Sequence, residues 1–297
     1  MSPFTLIVLL SGLLLIYLVV GGLFVRWRLQ CRRDIPPVHD KLMRTAGERL
    51  RLRLECLDER TDWLLLAGSF VPLALLLAGL AITSRPVGLD HPVLVVGLTF
   101  GAFIIAIGAT AWGILFILTA RRTARRALLG ERIVAENLNP LIADGHHVFH
   151  DVPTENRDTA FNVHHVVVGP AGIFAIETKT LQKRRPIPGR KEHEIIFDGE
   201  QIVYPWGQDV HGLGPARIKA EWLADWIYQI TGRRIAVTPV LTFPGWWVNT
   251  TSARGVYVHN PKQLAALMRH TQGPELDPRH IELIADQLAL RCRDVEL

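Results

Sequence analysis

The sequence predicts an α-helical membrane region followed by an α/β domain. Three apolar runs lack charged residues and are about as long as a bilayer core requires: residues 4–25, 63–82 and 93–118. Hydrophobic residues make up 49% of the chain, and the excess is concentrated in the first 120 residues. From Ala127 onward, helix and strand patterns alternate. We therefore divide the chain into a membrane region, 1–126, and an α/β domain with C-terminal helices, 127–297.

The first apolar run is interpreted as an uncleaved membrane anchor. No Lys or Arg precedes it, and it is longer than the apolar core of a signal peptide, which is the alternative interpretation. The polar loop that follows, residues 26–61, carries ten Lys and Arg residues. Its part from Lys41 to Leu57 fits an amphipathic helix or helical hairpin on a membrane surface, or equally a solvated helical connector.

The distribution of positive charge predicts the membrane topology. Arg85 is the only Lys or Arg residue in the loop at 83–92. Four arginines follow the third span: Arg121, Arg122, Arg125 and Arg126. By the positive-inside rule the N-terminus lies outside, and the 26–61 loop and the α/β domain lie in the cytoplasm, at a plasma or inner membrane. The spans contain no Asp, Glu, Lys, Arg or His, which disfavours a transporter or channel.

The three cysteines give no support for a disulfide framework or a zinc site. Cys31, Cys56 and Cys292 are odd in number and form no CxxC pair. Unpaired cysteines agree with a cytoplasmic domain.

Local patterns predict the order of elements in the α/β domain. A β-hairpin is predicted at Val163–Val168 and Ile173–Ile176, around the turn residues 169–172. Trp246 and Trp247 fit either edge-of-core packing or base stacking. The other predicted elements are a helix from Gly130 to near Gly145, strands at 147–152, 235–243 and 256–258, a second hairpin at 194–197 and 201–204, a helix at 215–230 with Ile218 on its apolar stripe, and helix starts at Asn260-Pro261 and Asp277-Pro278.

The motif Glu177-x-Lys179 directly follows the first hairpin. Side chains alternate along a strand, so the carboxylate and the ammonium lie on one face. A carboxylate suits a hard cation, and an adjacent ammonium stabilises developing negative charge, as metal-dependent phosphodiester hydrolysis requires. The alternative is a solvated ion pair at the end of a strand.

The residues around this motif resemble a known family. The pattern Asn-x-x-His-x-Val-x-Gly-Pro-x-Gly-Ile-Phe-x-Ile-Glu-x-Lys, residues 162–179, is similar to the nuclease-related domain (NERD), a branch of the restriction-endonuclease-like PD-(D/E)xK superfamily. The resemblance covers residues 129 to 245. It implies an αβββαβ core, hydrolysis of nucleic acid, with DNA favoured over RNA, and a Mg²⁺ or Mn²⁺ ion. It implies no small-molecule cofactor.

The resemblance also implies site residues. His165, Glu177 and Lys179 match family positions, and Glu131 and Gln208 match an acidic and a polar position. The implied catalytic set is Glu177, Lys179, Glu131 and Gln208, and the implied metal ligands are Glu177, His164 and Glu131. One departure stands out: His164 occupies the position of the family's principal metal-binding Asp. A neutral nitrogen donor suits Mn²⁺ better than Mg²⁺.

Two hypotheses follow from this departure. In the first, the domain remains a nuclease with altered metal preference, with Asp158 or Glu131 recruited to the metal. In the second, hydrolysis is lost and the domain is a membrane-tethered nucleic-acid-binding or scaffold module. In either case, a basic loop is the predicted phosphate contact, unless it is merely solvated. The residues of this loop are Lys183, Arg184, Arg185, Arg190 and Lys191.

Overall fold

The computed structural model divides the chain into two compact units. One comprises Met1–Pro37 with Arg53–Thr123, and the other Val38–Leu52 with Ala124–Leu297. The structure describes residues 11–12, 15–26, 40–83, 92–154, 161–210, 212–252, 255–271 and 276–295. Asp158, Cys31, most of the 83–92 loop, residues 27–39 of the 26–61 loop and part of the 4–25 run lie outside the described residues.

The first unit consists of helices. Helix α1 spans Leu15–Arg26, α2 spans Glu48–Thr83, and α3 spans Pro92–Leu138. Both α2 and α3 are long and apolar enough to cross a membrane, and the most apolar segment of α3 is not buried within the protein. Two membrane-length helices are therefore confirmed. The third span and the topology stay predictions.

Glycines allow α2 and α3 to approach each other closely. A Cβ atom added to Gly68 would lie 2.2 Å from the Cγ2 atom of Thr110, and one added to Gly79 would lie 2.8 Å from that of Thr99. The absence of side chains at these positions lets the two backbones come together, as is common between membrane helices.

The second unit is an α/β domain built around a five-stranded sheet. Its sheet order is β10-β8-β4-β3-β2, with β4, β8 and β10 parallel and the β2–β3–β4 pairs antiparallel. In chain order the elements are β1 (Leu42–Met43), α4 (Pro140–Ala143), β2 (His147–Pro153), β3 (Asn162–Gly169), β4 (Gly172–Thr178), β5 (Glu194–Phe197), β6 (Ile202–Tyr204), β7 (Gly207–Asp209), α5 (Leu213–Thr231), β8 (Val237–Thr242), β9 (Trp247–Thr250), β10 (Tyr257–His259), α6 (Pro261–His270), α7 (Pro278–Cys292) and β11 (Arg293–Val295).

Helices cover the two faces of this sheet. Leu223 and Ile227 of α5 join Ile284 and Leu288 of α7 in the core on one face. On the other face, the C-terminal turns of α3 pack with α6 through residues such as Val134 and Leu264. The order of α3, the antiparallel strands β2 to β4, α5 and the parallel strand β8 agrees with the αβββαβ core that the resemblance implies, with β5, β6 and β7 inserted before α5.

A second sheet, of order β7-β6-β5-β9, packs its apolar residues against Leu213 and Ala216 of α5 and Leu241 of β8. The predicted hairpin of β5 and β6 is confirmed, with Gly199 at a φ of +101° in its turn. In this sheet β9 runs parallel to β5, and the pairs β5–β6 and β6–β7 are antiparallel.

The residues immediately before α2, 40–47, belong to the α/β domain. Strand β1 pairs with β11. The guanidinium of Arg44 donates to Asp294 at 2.6 Å and also contacts the carboxylate of Asp151, which accepts the backbone N–H of Arg49 at 2.8 Å. The polar loop therefore contributes ion pairs to the domain core.

We predict that Gly68→Leu separates α2 from α3. The added side chain would overlap Thr110, and overpacking of this kind costs about 1–3 kcal/mol. Thermal unfolding of the detergent-solubilised chain should show a lower midpoint. Gly108→Leu is the matched control, because nothing lies within 4 Å of its added Cβ. Equal midpoints for the two variants would contradict the proposed packing.

Candidate functional site

Four polar side chains meet at one end of the β3–β4 hairpin. His164 lies on β3 and Glu177 on β4, which are adjacent antiparallel strands. Glu131 comes from α3 and Lys219 from α5. These four residues form the acidic cluster: Glu131, His164, Glu177 and Lys219.

His164 lies between the two carboxylates. Its Nδ1 atom is 3.7 Å from Glu131 Oε1 and 3.5 Å from Glu177 Oε2, and it accepts a hydrogen bond from the backbone N–H of Thr178 at 3.1 Å. Burial lowers the pKa of His164 to about 3, and the positive charges of Lys219 and Arg49 add to this. The imidazole is therefore neutral, with its proton assigned to Nε2.

Lys219 was not identified from the sequence. Its Nζ atom lies 2.5 Å from Glu177 Oε2, and the residue is only 8% exposed. Ile218, which was predicted on the apolar stripe of this helix, is 55% exposed, so that prediction was wrong. The signal was available: Lys219 lies three residues after Ala216 and four before Leu223, on the face that is buried.

Glu131 carries the strongest electrostatic perturbation among the carboxylates of the cluster. It is 4% exposed, and its Oε2 atom has no hydrogen-bond partner among the described residues. Burial, together with the charges of Asp151 and Glu177, raises the pKa of Glu131 to about 8. Glu131 is consequently protonated at neutral pH. Burial also raises the pKa of Glu177, and the Lys219 ammonium opposes that effect.

Lys179 and Gln208 line a separate cavity of about 560 Å³. Arg184, Trp206 and Asp209 are also in its lining. Burial lowers the pKa of Lys179, while the negative charges of Asp209 and Glu177 act in the opposite direction. The structure thus brings the predicted Lys179 and Gln208 together, and places Lys179 within electrostatic reach of Glu177.

The five residues of the basic loop have different surroundings. Lys183 lies over the ring of Trp246 and Arg184 over that of Trp206, at 5.9 and 5.8 Å from the ring centres. Arg190 donates to the backbone carbonyls of Tyr204 and Gly207, and Lys191 pairs with Glu194 at 3.3 Å. Arg185 is exposed. Among the described residues, three members of the basic loop face solvent and make no hydrogen bond or ion pair with a backbone or carboxylate group: Lys183, Arg184 and Arg185.

His165 points to the opposite face of β3 from His164. It is fully buried, and its Nδ1 atom lies 2.9 Å from Nδ1 of His150. Burial lowers the pKa of His150 to about 4 and that of His165 well below its usual value. This pair is a neutral element of the core and lies outside the acidic cluster.

As placed, the acidic cluster does not fit a divalent cation. The ammonium of Lys219 already neutralises Glu177, and the Thr178 N–H occupies the lone pair of His164 Nδ1. Within the described part of the chain, no group of three or more His, Cys, Asp or Glu side chains is arranged to hold a metal ion. Among the buried side-chain N and O atoms of the acidic cluster, Glu131 Oε2 is the one without a hydrogen-bond partner.

Comparison with known families places a nuclease-related domain in this chain. The family model for the nuclease-related domain matches residues 126–244, which include Glu131, His164, Glu177, Lys179 and Gln208. A comparison with curated proteins gave no match. The resemblance inferred from the hairpin motif is therefore confirmed as to the domain, whereas membership of the wider PD-(D/E)xK superfamily stays a prediction.

We predict that Lys219→Met destabilises the α/β domain. The substitution leaves the Glu177 carboxylate buried without its counter-ion, which costs about 3–5 kcal/mol. Denaturant unfolding of the detergent-solubilised chain measures the loss. Adding Glu177→Met should restore most of it. Arg217→Met, an exposed position on the same helix, is the control. If Lys219→Met were as stable as Arg217→Met, the ion pair between Lys219 and Glu177 would not be structural.

We predict that Glu131 makes the protein less stable as pH rises. Its pKa is near 4.5 when unfolded and about 8 when folded, so the folded state binds the extra proton in this range. The contribution of Glu131 to the free energy of unfolding is fully present below pH 4.5. It falls by up to about 1.4 kcal/mol per pH unit as the pH rises towards 8. Glu131→Gln should remove this fall in unfolding free energies measured from pH 5 to pH 8. Glu136→Gln makes the same change at an exposed position of the same helix, and this variant should retain the fall in stability.

Proposed function

We propose that this protein is a membrane-anchored nucleic-acid-binding protein whose nuclease-related domain binds phosphate groups and does not hydrolyse them. The observation that carries the proposal is the Lys219 ammonium, 2.5 Å from Glu177 Oε2. A metal-dependent hydrolase needs that carboxylate for its cation. Here a side chain of the protein itself supplies the positive charge.

The net charge of the acidic cluster supports binding of an anion nearby. Glu131 is protonated at neutral pH, His164 is neutral, and Glu177 is paired with Lys219. The cluster therefore has little net negative charge to attract a divalent cation or to repel a phosphate. Lys179, two residues from Glu177, adds a positive charge at the adjoining cavity.

The basic loop supplies the phosphate contacts in this proposal. Lys183 and Arg184 are held over tryptophan rings, so their orientation is restricted while their charges face solvent. Arg185 adds a third charge. Contacts of this kind bind the backbone of nucleic acid without reading its sequence.

Membrane anchoring by α2 and α3 is the second part of the proposal. Both helices have the length and composition of spans, and many of their large apolar side chains are exposed, such as Ile105 at 72% and Phe116 at 71%. Val38–Leu52 and the chain after Ala124 belong to one compact unit, so they lie on one side of any bilayer that the intervening stretch crosses. The positive-inside rule supports the cytoplasm as that side, because four arginines follow the third span: Arg121, Arg122, Arg125 and Arg126. A further span at 4–25 then puts the N-terminus outside.

A second candidate function is phosphodiester hydrolysis with Mn²⁺ or Mg²⁺, with Glu131, His164 and Glu177 as ligands and Lys179 and Gln208 in supporting roles. The observation that favours it is Glu131, a buried carboxyl whose Oε2 lacks a partner and whose pKa is raised to about 8. Perturbed carboxyl groups of this kind cluster at functional sites. A cation bound between Glu131 and Glu177 would remove both features.

One experiment separates the two candidates. The detergent-solubilised chain is tested with labelled DNA and RNA, for affinity by fluorescence anisotropy and for cleavage with Mg²⁺ and with Mn²⁺. We expect salt-sensitive binding without cleavage. Lys183→Ala combined with Arg184→Ala should weaken binding severalfold and reduce its salt dependence, because each lost phosphate contact removes a released counter-ion. Arg233→Ala combined with Arg234→Ala removes the same charge elsewhere and should change affinity less.

Cleavage by the wild-type chain that disappears in Glu177→Gln would reject the binding-only proposal in favour of hydrolysis. Cleavage that appears only in His164→Asp combined with Lys219→Met would show that these two residues block metal-dependent chemistry. Absence of binding to every nucleic acid tested would refute the proposed function.

A further inference from the structure

An exposed tryptophan stands beside an apolar pocket in the second sheet. Trp246 and Trp247 are adjacent but differ in burial: Trp246 is 2% exposed and Trp247 is 64% exposed. The backbone N–H of Trp247 donates to the carbonyl of His193 at 2.9 Å, which fixes the start of β9. The sequence left open whether these residues pack at the edge of the core or stack on bases; Trp246 packs in the core and Trp247 does not.

The pocket has a volume of about 410 Å³ and mostly apolar walls. Trp246, Trp247 and Ile133 supply apolar surface, and Lys262 lies at its margin. None of the described residues that line it is acidic. A flat aromatic wall with a nearby ammonium suits a neutral planar ring attached to a negatively charged group, and a nucleotide has both in its base and its phosphate.

Aromatic rings and cations connect this pocket to the cavity at Lys179. Trp246, which lines the pocket, has Lys183 over its ring, and its ring centre is 5.4 Å from that of Trp206. Trp206 in turn lies beneath Arg184 and lines the cavity that contains Lys179. Positive charges thus follow a row of aromatic rings from one recess to the other.

We propose that the Trp247 pocket binds an unpaired base, and that the protein prefers single-stranded nucleic acid. Trp247 stacks on the base, while Lys183 and Arg184 contact the adjoining phosphates. A duplex cannot use the pocket, because its bases are paired and stacked on each other. The inference rests on the nucleic-acid binding proposed above and specifies its substrate class.

The test compares a labelled oligothymidylate with a DNA duplex of equal length, each bound to the full detergent-solubilised chain. Loss of one stacked base weakens binding roughly five- to hundredfold. We expect Trp247→Ala to weaken oligothymidylate binding within that range and to change duplex binding less than about twofold. Trp247→Phe should retain most of the affinity, because an aromatic ring remains. Quenching of tryptophan fluorescence by the oligonucleotide should diminish in Trp247→Ala.

Tyr228→Ala is the matched control, since Tyr228 is an exposed aromatic residue beside Arg234 and lines neither recess. Unfolding midpoints confirm that each variant is folded. Unchanged oligothymidylate affinity in Trp247→Ala, or an equal loss for single strand and duplex, would overturn the inference. If Lys183→Ala with Arg184→Ala still weakens binding in that case, the proposed function stands. Absence of binding by the wild-type chain overturns both.

Discussion

The contact between the Lys219 ammonium and the Glu177 carboxylate organises the site of this protein. Lys219 comes from α5 and Glu177 from the end of β4, so the pair joins a covering helix to the central sheet. Neither group has full access to water. Each charge is tolerated at this depth only because the other is present, and removal of one partner leaves a costly unpaired ion.

The same pair determines the electrostatics of its neighbours. Lys219 contributes to the low pKa of His164 and partly opposes the effect of burial on Glu131. The result is a cluster in which one carboxyl is protonated, one is paired and the imidazole is neutral. Under the proposed function, this compensation makes the cluster a poor site for a divalent cation and leaves room for a phosphate beside it. His164, at the position where the resemblance implies an Asp, adds no negative charge to the cluster.

Local chemistry predicted much of the fold. The hairpin of β3 and β4, the turn at Gly199 and the helix start at Asn260 follow from turn and capping residues that act within a few positions. In the structure the Asn260 side chain accepts the N–H of Lys262 at 3.0 Å. The pairing of β1 with β11 was not predictable, because their residues are about 250 positions apart and neither strand carries a distinctive pattern. The helical spacing places Lys219 on the buried face of α5, but its partner Glu177 belongs to another element, so the ion pair itself was not predictable.

The candidate site was predictable in part, for a similar reason. Glu177 lies on β4 and Lys179 directly follows that strand, so their spacing alone keeps them close. The convergence of Glu131 with His164 requires the packing of α3 against the sheet, and the separation of Trp247 from Trp246 requires the position of β9. Sequence spacing carries information along an element, whereas contacts between elements depend on the tertiary structure.

The ion pairs of Arg44 have a consequence for how the chain is assembled during synthesis. Arg44 lies before α2, yet its partners Asp151 and Asp294 lie after α3, the latter at the C-terminal end of the chain. The ribosome therefore releases the first segment of the α/β domain before both long helices and the last segment after them. Strand β1 has no partner until β11 has been made. The domain cannot close co-translationally from its N-terminal side, and its completion waits until β11 has been synthesised.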